Sequence, residues 1–174
     1  VAGSAISLNN LSDVLVESTS IYVGSDPSST TDTANNNTAV GTTALNSITT
    51  GDRNAVLGAN AGTALTTGSN NIAIGYEALI ASETANNNIA IGYQALTAAT
   101  TGATNIGIGP QAGAALLDGT LNILIGNDAG TALTSGSRNV AIGQDALTTE
   151  DTGSFNVAVG YEALTAQNVD AAYT

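Results

Sequence analysis

The sequence predicts an all-β fold of the parallel β-solenoid class, and three observations lead to this prediction. An Asn-x-x-x-Gly segment recurs eight times at an unbroken spacing of 17 residues, from Asn37 to Gly160. In most copies the three residues inside the segment alternate between large and small apolar side chains, as in a short β-strand. Glycine ends every segment, as expected where a chain turns a corner. A fixed short period is typical of solenoids, in which each repeat stacks on the next.

The composition excludes several classes of function. The chain has 174 residues, room for one ordinary domain, and carries 14 acidic residues against two arginines, for a net charge of −12. Nucleic acids and anionic membrane surfaces attract basic proteins, so neither is an expected partner. The absence of Cys and His excludes disulfides, thiolate or imidazole metal sites and histidine acid–base catalysis. No apolar run approaches the ~20 residues that span a bilayer, so we expect no membrane insertion.

The repeat divides the chain into four segments. Residues 1–19 are not repetitive, and their mixed apolar spacing predicts a connector with one or two extended pieces. Residues 20–36 begin in register with the repeats but continue as a polar stretch, which predicts a degenerate coil that caps the stack. Residues 37–169 hold the eight repeats, and 170–174 form a C-terminal tail. Because the last repeat lacks its second corner and an open strand edge favours aggregation, we expect the chain to continue or its ends to stack.

Each repeat is numbered from its Asn as positions 1 to 17, and coils 1 to 8 begin at Asn37 and at every 17th residue after it. Position 5 is always Gly, which indicates a corner with a positive φ or a close backbone approach. These corner glycines are Gly41, Gly58, Gly75, Gly92, Gly109, Gly126, Gly143 and Gly160. Positions 13 to 15 tend to Thr-Thr-Gly, which indicates a second corner. We therefore predict two short strands per coil, because a strand and a helix would be cramped within 17 residues.

Most repeats have one large apolar residue at either position 9 or position 12, but not at both. Where position 9 is Gly, position 12 is Leu, as in Gly62 and Leu65; where position 9 is Leu, position 12 is usually small or polar, as in Leu79 and Ser82. The pattern predicts one interior pocket per coil that accepts a single Leu. Each coil then buries few apolar groups, too few to offset the conformational entropy of 17 ordered residues. We therefore expect self-association through a second face, such as the Ala-rich one.

The Asn-x-Ala-Ile-Gly strand followed by a small-residue corner resembles the head repeats of trimeric autotransporter adhesins, the YadA-type left-handed parallel β-roll. The longer unit, with Ala-Leu and Thr-Thr-Gly-x-x-Asn, is similar to the repeats of phage tail-fibre-like proteins, and Leu11-Ser12-Asp13-Val14 and Ile21-Tyr22-Val23-Gly24 are similar to the segments before such repeats. The resemblance covers residues 20–169 and departs from the short adhesin repeat in its length of 17. It implies left-handed coiling, an intertwined or side-by-side homotrimer, and a structural or attachment role.

Position 1 forms a column of asparagines that invites a ligand-site interpretation. The alternative, which we predict, is an amide ladder in which each side chain bonds its neighbour one coil away, because a column of eight serves the stack itself. The column comprises Asn37, Asn54, Asn71, Asn88, Asn105, Asn122, Asn139 and Asn156.

Two further columns are candidate binding sites. At position 7, Asp128, Asp145 and Glu162 lie on adjacent coils, and their carboxylates either hold a hard cation such as Ca²⁺ or form a solvated acidic stripe, which we favour. No Gly-Gly-x-Gly-x-Asp calcium repeat is present, so no metal is assigned. At position 6, Tyr76, Tyr93 and Tyr161 either cover the corner or offer a platform for stacking a sugar.

The function expected from these patterns is structural. A narrow, regular stack offers no evident cleft for a catalytic carboxylate pair, so we expect no enzyme activity and no cofactor. We predict a shaft or head segment of a phage tail or receptor-binding fibre that attaches to a host surface, beside other fibre or virion proteins and outside the cell. The alternatives are a bacterial surface adhesin or self-assembling extracellular filament, and a carbohydrate-binding module.

Overall fold

The computed structural model describes residues 14–17, 19–24, 27 and 33–165, in which ten short strands form one sheet in chain order. An N-terminal hairpin pairs β1 (Val14–Glu17) antiparallel with β2 (Ser20–Val23). One strand of three residues follows in each of coils 1 to 8, and β2 to β10 pair in parallel. These strands are β3 (Thr38–Val40), β4 (Ala55–Leu57), β5 (Ile72–Ile74), β6 (Ile89–Ile91), β7 (Ile106–Ile108), β8 (Ile123–Ile125), β9 (Val140–Ile142) and β10 (Val157–Val159). The predicted all-β parallel solenoid is confirmed.

The register of the sheet equals the sequence repeat. Ile72 lies opposite Ile89, and Ile89 lies opposite Ile106, so each residue meets the one 17 positions further on. The N-terminal coil joins the stack in the same register, with Ile21 opposite Thr38. Of the segments predicted at the two ends, residues 1–13 and 166–174 lie outside the described part of the chain.

The prediction of two strands per coil is wrong, because the described part of each coil contains only one. After the corner glycine the chain enters the left-handed region twice, as at Glu77 with φ 56° and Leu79 with φ 56°. Left-handed residues bend the backbone and cannot continue an extended ladder. Hydrogen bonds between coils persist on this side, such as the Leu79 N–H to the Ala95 carbonyl at 3.0 Å. The second side is therefore a stack of turns rather than a second sheet.

The strands turn their small residues inward. Position 3, such as Ala73 and Ala90, is buried, whereas the large residues at positions 2 and 4 point to solvent, with Ile74 37 % exposed. The expectation that the Ala-rich face is the free one is therefore wrong. The interior is narrow because position 8, such as Ala78, and one Leu per coil already occupy it. In most coils only a small strand residue fits opposite them at normal packing density; the larger Val56 and Leu124 occur in coils whose position 9 is glycine.

The interior pocket accepts Leu from either position 9 or position 12. Leu79 and Leu65, which represent the two cases, are both fully buried, in line with the predicted exchange. Coils 5 and 6 add a third arrangement, because Leu124 replaces the usual small residue at position 3. A Cβ at Gly113 or Gly130 would come within 2.6 or 2.8 Å of the Leu124 side chain. The glycines at position 9 therefore make room for Leu124.

Candidate functional site

The asparagine column closes each coil and links it to the next. Asn88 Oδ1 accepts the backbone N–H of Asn105 at 2.8 Å, and Asn88 Nδ2 donates to the carbonyl of Gly102 at 2.8 Å. The backbone N–H of Asn88 in turn donates to Asn71 Oδ1 at 2.9 Å. All eight asparagines are buried, and Ser20 takes the same role before Asn37. The amides are thus engaged by backbone groups within the stack, and the predicted amide-to-amide bond is present as well between four neighbouring pairs, each at 3.1 Å.

The corner glycines allow the coils to approach one another closely. All eight have φ between 128° and 141°, a region that residues with a side chain rarely adopt. A Cβ added at Gly75 would lie 2.3 Å from the carbonyl oxygen of Gly92 in the next coil. In coils 1 to 7, position 5 therefore has no room for a side chain, and the predicted close approach takes place between neighbouring corners.

Positions 2 and 4 of strands β2 to β10 form a continuous outer surface, the aliphatic face. Sixteen of its eighteen side chains are Ile, Val or Leu, and the exceptions are Thr38 and Ala55, so the face carries no charge. Exposure along it reaches 50 % at Leu57 and 68 % at Val157. Nine strands spaced ~4.8 Å apart and three residues wide cover roughly 40 by 10 Å. Apolar patches of this size on a monomer are commonly interaction sites.

The acidic side chains at position 7 are partly engaged by their own neighbours. Asn127 Nδ2 donates to Asp128 Oδ2, and Gln144 Nε2 donates to Asp145 Oδ2 at 3.1 Å. Glu162, the third candidate, is exposed on the next coil. Within the described residues, no group of three or more acidic side chains is arranged to hold a metal ion. The cation interpretation of this column thus receives no geometric support.

The three candidate tyrosines do not form one platform. The rings of Tyr76 and Tyr93 stack with centroids 5.7 Å apart and planes 11° apart, and they are 45 % and 51 % exposed. Tyr161 lies four coils beyond Tyr93, and Pro110, among others, intervenes at position 6. Each stacked ring uses one face on its partner, so the free aromatic surface consists of ring edges and the two outer faces.

Polar groups beside these rings form a directed hydrogen-bond chain. Gln111 Nε2 donates to Gln94 Oε1 at 3.5 Å, and Gln94 Nε2 donates to Glu77 Oε2 at 2.7 Å. Hydrogen bonds from Gln94, then Tyr76, then Asn60 lower the pKa of Glu77, because they stabilise its charged form. Hydrogen bonding to Glu77 raises the pKa of Tyr76 for the converse reason. The chain therefore ends on an oriented carboxylate.

Two features escaped the sequence patterns. The guanidinium of Arg138 lies 5.3 Å from the centre of the Phe155 ring, one coil away at position 17. Glu150 is fully buried at position 12 and accepts the backbone N–H of Gly153 at 2.6 Å through Oε1. Leu65 and Ser82, at the same position of other coils, are also fully buried, so the column itself is the signal that a residue at position 12 lies inside the coil.

Comparisons with protein-family models, with curated proteins and with solved structures gave no match. Within residues 14–17, 19–24, 27 and 33–165, no helix has the length and apolar character needed to cross a bilayer. The fold and the surfaces described above are therefore the basis for an argument about function.

Proposed function

We propose that this chain is a rigid, non-enzymatic shaft or head segment of an extracellular fibre, which assembles as a homotrimer and serves attachment to a host surface. The single observation that supports this proposal best is the aliphatic face, a long uncharged strip on an otherwise acidic chain. A solenoid whose successive coils are linked by backbone and asparagine hydrogen bonds is suited to a shaft, because every coil is tied to the next along the axis.

We expect copies of this chain to associate through the aliphatic face. Its footprint of ~400 Å² lies in the ~300–600 Å² range of apolar patches that often serve a function, such as contact with another protein. Apart from Ala55 its side chains are β-branched or Leu, and the backbone beneath them is already hydrogen-bonded, so a second copy can cover them without burying unpaired polar groups. Three copies that turn this face towards a common axis would share one apolar core.

The favoured setting is the tail or receptor-binding fibre of a phage, with neighbouring fibre or virion proteins as partners. The alternative setting is a bacterial surface adhesin or a self-assembling filament. The sequence that flanks this segment in its gene discriminates between them. A coiled coil followed by an outer-membrane anchor would favour the adhesin, whereas a virion-attachment or chaperone domain would favour the phage fibre.

Sedimentation equilibrium tests the oligomer. The unmodified chain is expected to sediment as a trimer, and Ile91→Asp, which places a charge on the aliphatic face, is expected to yield a folded monomer. The matched control is Thr101→Asp, an exposed position in the same coil whose counterpart in the next coil is already Asp118. A monomer for the unmodified chain, or equal effects of the two substitutions, would refute the role of this face.

A further inference from the structure

The tyrosine pair leaves one ring face open at a defined place. Tyr93 covers one side of Tyr76, and the opposite side of the ring is directed towards coil 2, where position 6 is Ala59. Alanine is too small to cover a phenol ring, and Tyr76 remains 45 % exposed. We call this step, in which the small Ala59 precedes the open face of Tyr76, the notch.

Polar groups converge on this notch from position 7. Asn60, the neighbour of Ala59, accepts the Thr43 hydroxyl through Oδ1 at 2.6 Å, and it lies near enough to Tyr76 and Glu77 in the next coil to affect the pKa of both. The Glu77 carboxylate is held from the other side by Gln94. An acceptor whose position is already held by hydrogen bonds loses little side-chain entropy when a ligand binds.

We propose that the notch formed by Ala59, Tyr76, Asn60 and Glu77 binds a neutral pyranose sugar, with the apolar face of the sugar ring stacked on Tyr76. A pyranose presents C–H groups on one face and hydroxyls around its edge. The C–H face matches the negative face of the phenol ring, and the edge hydroxyls match the acceptors of Glu77. The inference goes beyond the fibre role and does not rest on the number of subunits.

The charges specify a neutral ligand. Glu77 contributes a carboxylate at the notch, and the chain as a whole carries a net charge of −12. The two arginines, Arg53 and Arg138, are at position 17, on the far side of each strand from the corner that carries the tyrosines. A sialic acid, a uronic acid or a phosphate would meet like charge without a cationic partner, so acidic glycans are excluded from the site.

Saturation-transfer NMR on the intact oligomer provides the test. The probes are the methyl pyranosides of glucose, galactose, mannose and N-acetylglucosamine, with sialyllactose as the acidic probe and phenol as the aromatic one. We expect at least one neutral pyranoside to receive saturation, mainly on the protons of one ring face. Tyr76→Ala is expected to weaken it by on the order of tenfold, and Tyr76→Phe by much less, because stacking remains.

The control is Tyr161→Ala, because Tyr161-Glu162 repeats the dipeptide Tyr76-Glu77 at the same positions of another coil but has Gln144, rather than an alanine such as Ala59, at position 6 of the preceding coil. Tyr161→Ala is expected to bind the sugar as tightly as the unmodified chain does. Glu77→Gln is expected to bind it several-fold more weakly. Absence of binding by all four neutral sugars, preference for sialyllactose or phenol, or equal loss in Tyr161→Ala would each overturn the proposal. Sedimentation of the same samples as trimers keeps this result separate from the oligomer test.

Discussion

Asn71 Oδ1 accepts the backbone N–H of Asn88 at 2.9 Å, one coil further along the chain. The same asparagine donates through Nδ2 to the carbonyl of Ala85 at 2.8 Å, near the end of its own coil. One side chain therefore satisfies a buried donor in the next coil and a buried acceptor in its own. The period of 17 residues is thus a hydrogen-bonding requirement as well as a packing one.

Replacing an asparagine of this column is expected to be costly. Asn88→Ala removes the partners of the Asn105 N–H and the Gly102 carbonyl, which are both buried, and we expect a loss of about 2–5 kcal/mol in the free energy of unfolding. Urea denaturation at fixed protein concentration measures it. Asn127→Ala, at an exposed position, is the control and is expected to cost less than ~0.5 kcal/mol. Similar values for the two variants would contradict the prediction.

Two of the corner glycines differ in how much space surrounds them but not in backbone conformation, so comparing them separates the cost of steric overlap from the cost of backbone strain. Gly75→Ala places a methyl group 2.3 Å from the Gly92 carbonyl oxygen, whereas a Cβ at Gly160 meets no described atom within 4 Å. Both residues have φ 129°, so the backbone strain is matched. We expect Gly75→Ala to lower the unfolding free energy by several kcal/mol, on the order of 3 more than Gly160→Ala. Equal losses would mean that the conformation alone excludes a side chain.

Leu124 and Gly130 are expected to be energetically coupled. A Cβ at Gly130 would meet Leu124 Cδ2 at 2.8 Å, and its nearest neighbours all belong to that leucine. Gly130→Ala should therefore lower the free energy of unfolding more in the unmodified chain than in a chain that already carries Leu124→Ala. The expected difference is about 1 kcal/mol or more. Leu124→Ala alone is expected to cost ~2–5 kcal/mol because it opens a cavity. A double-mutant cycle in urea gives the coupling, and additive effects would argue against steric exchange.

The hydrogen bond from Gln94 predicts how Glu77 titrates. This bond is the largest cause of the lowered Glu77 pKa, so Gln94→Ala should raise that pKa towards the ordinary value of a glutamate. Because the folded-state pKa lies below the unfolded one, the bond stabilises the fold above the unfolded pKa, and this stabilisation is lost as the pH falls through the folded pKa. NMR titration of the side-chain carboxyl carbon measures the shift. An unchanged Glu77 pKa in the variant would show that the bond is absent.

If the chain forms the proposed trimer, its association should depend on the salt concentration. Each chain carries a net charge of −12, so copies repel one another, while the aliphatic face contributes no charge pairs that salt would screen. Raising the salt from ~20 to ~500 mM shortens the Debye length from ~20 to ~4 Å and should strengthen association. Sedimentation velocity across this series detects the change. Dissociation at high salt would instead indicate an interface built on ion pairs.

Residue patterns were most informative where one residue type recurs for a single physical reason. Only Gly meets the steric demand at position 5, and only a side chain with both a donor and an acceptor, such as Asn, makes the bonds seen at position 1. The two-strand prediction failed because Glu77 and Leu79 adopt positive φ, a conformation that neither residue type indicates. The stacking of Tyr76 on Tyr93 follows from the 17-residue step, but the open ring face depends on Ala59 one coil earlier.

The sequence by itself determined the period of the coil, the place of its strand, its corners and the exchange of one leucine between two positions. Only the tertiary structure decided which side of the strand is the core. The alternation of Ile72, Ala73 and Ile74 indicates that one face of the strand carries large side chains and the other a small one. It does not indicate which of the two faces lies in the core. The width of the coil decides, because Ala78 and Leu79 leave space opposite the strand for a methyl group and not for an isoleucine.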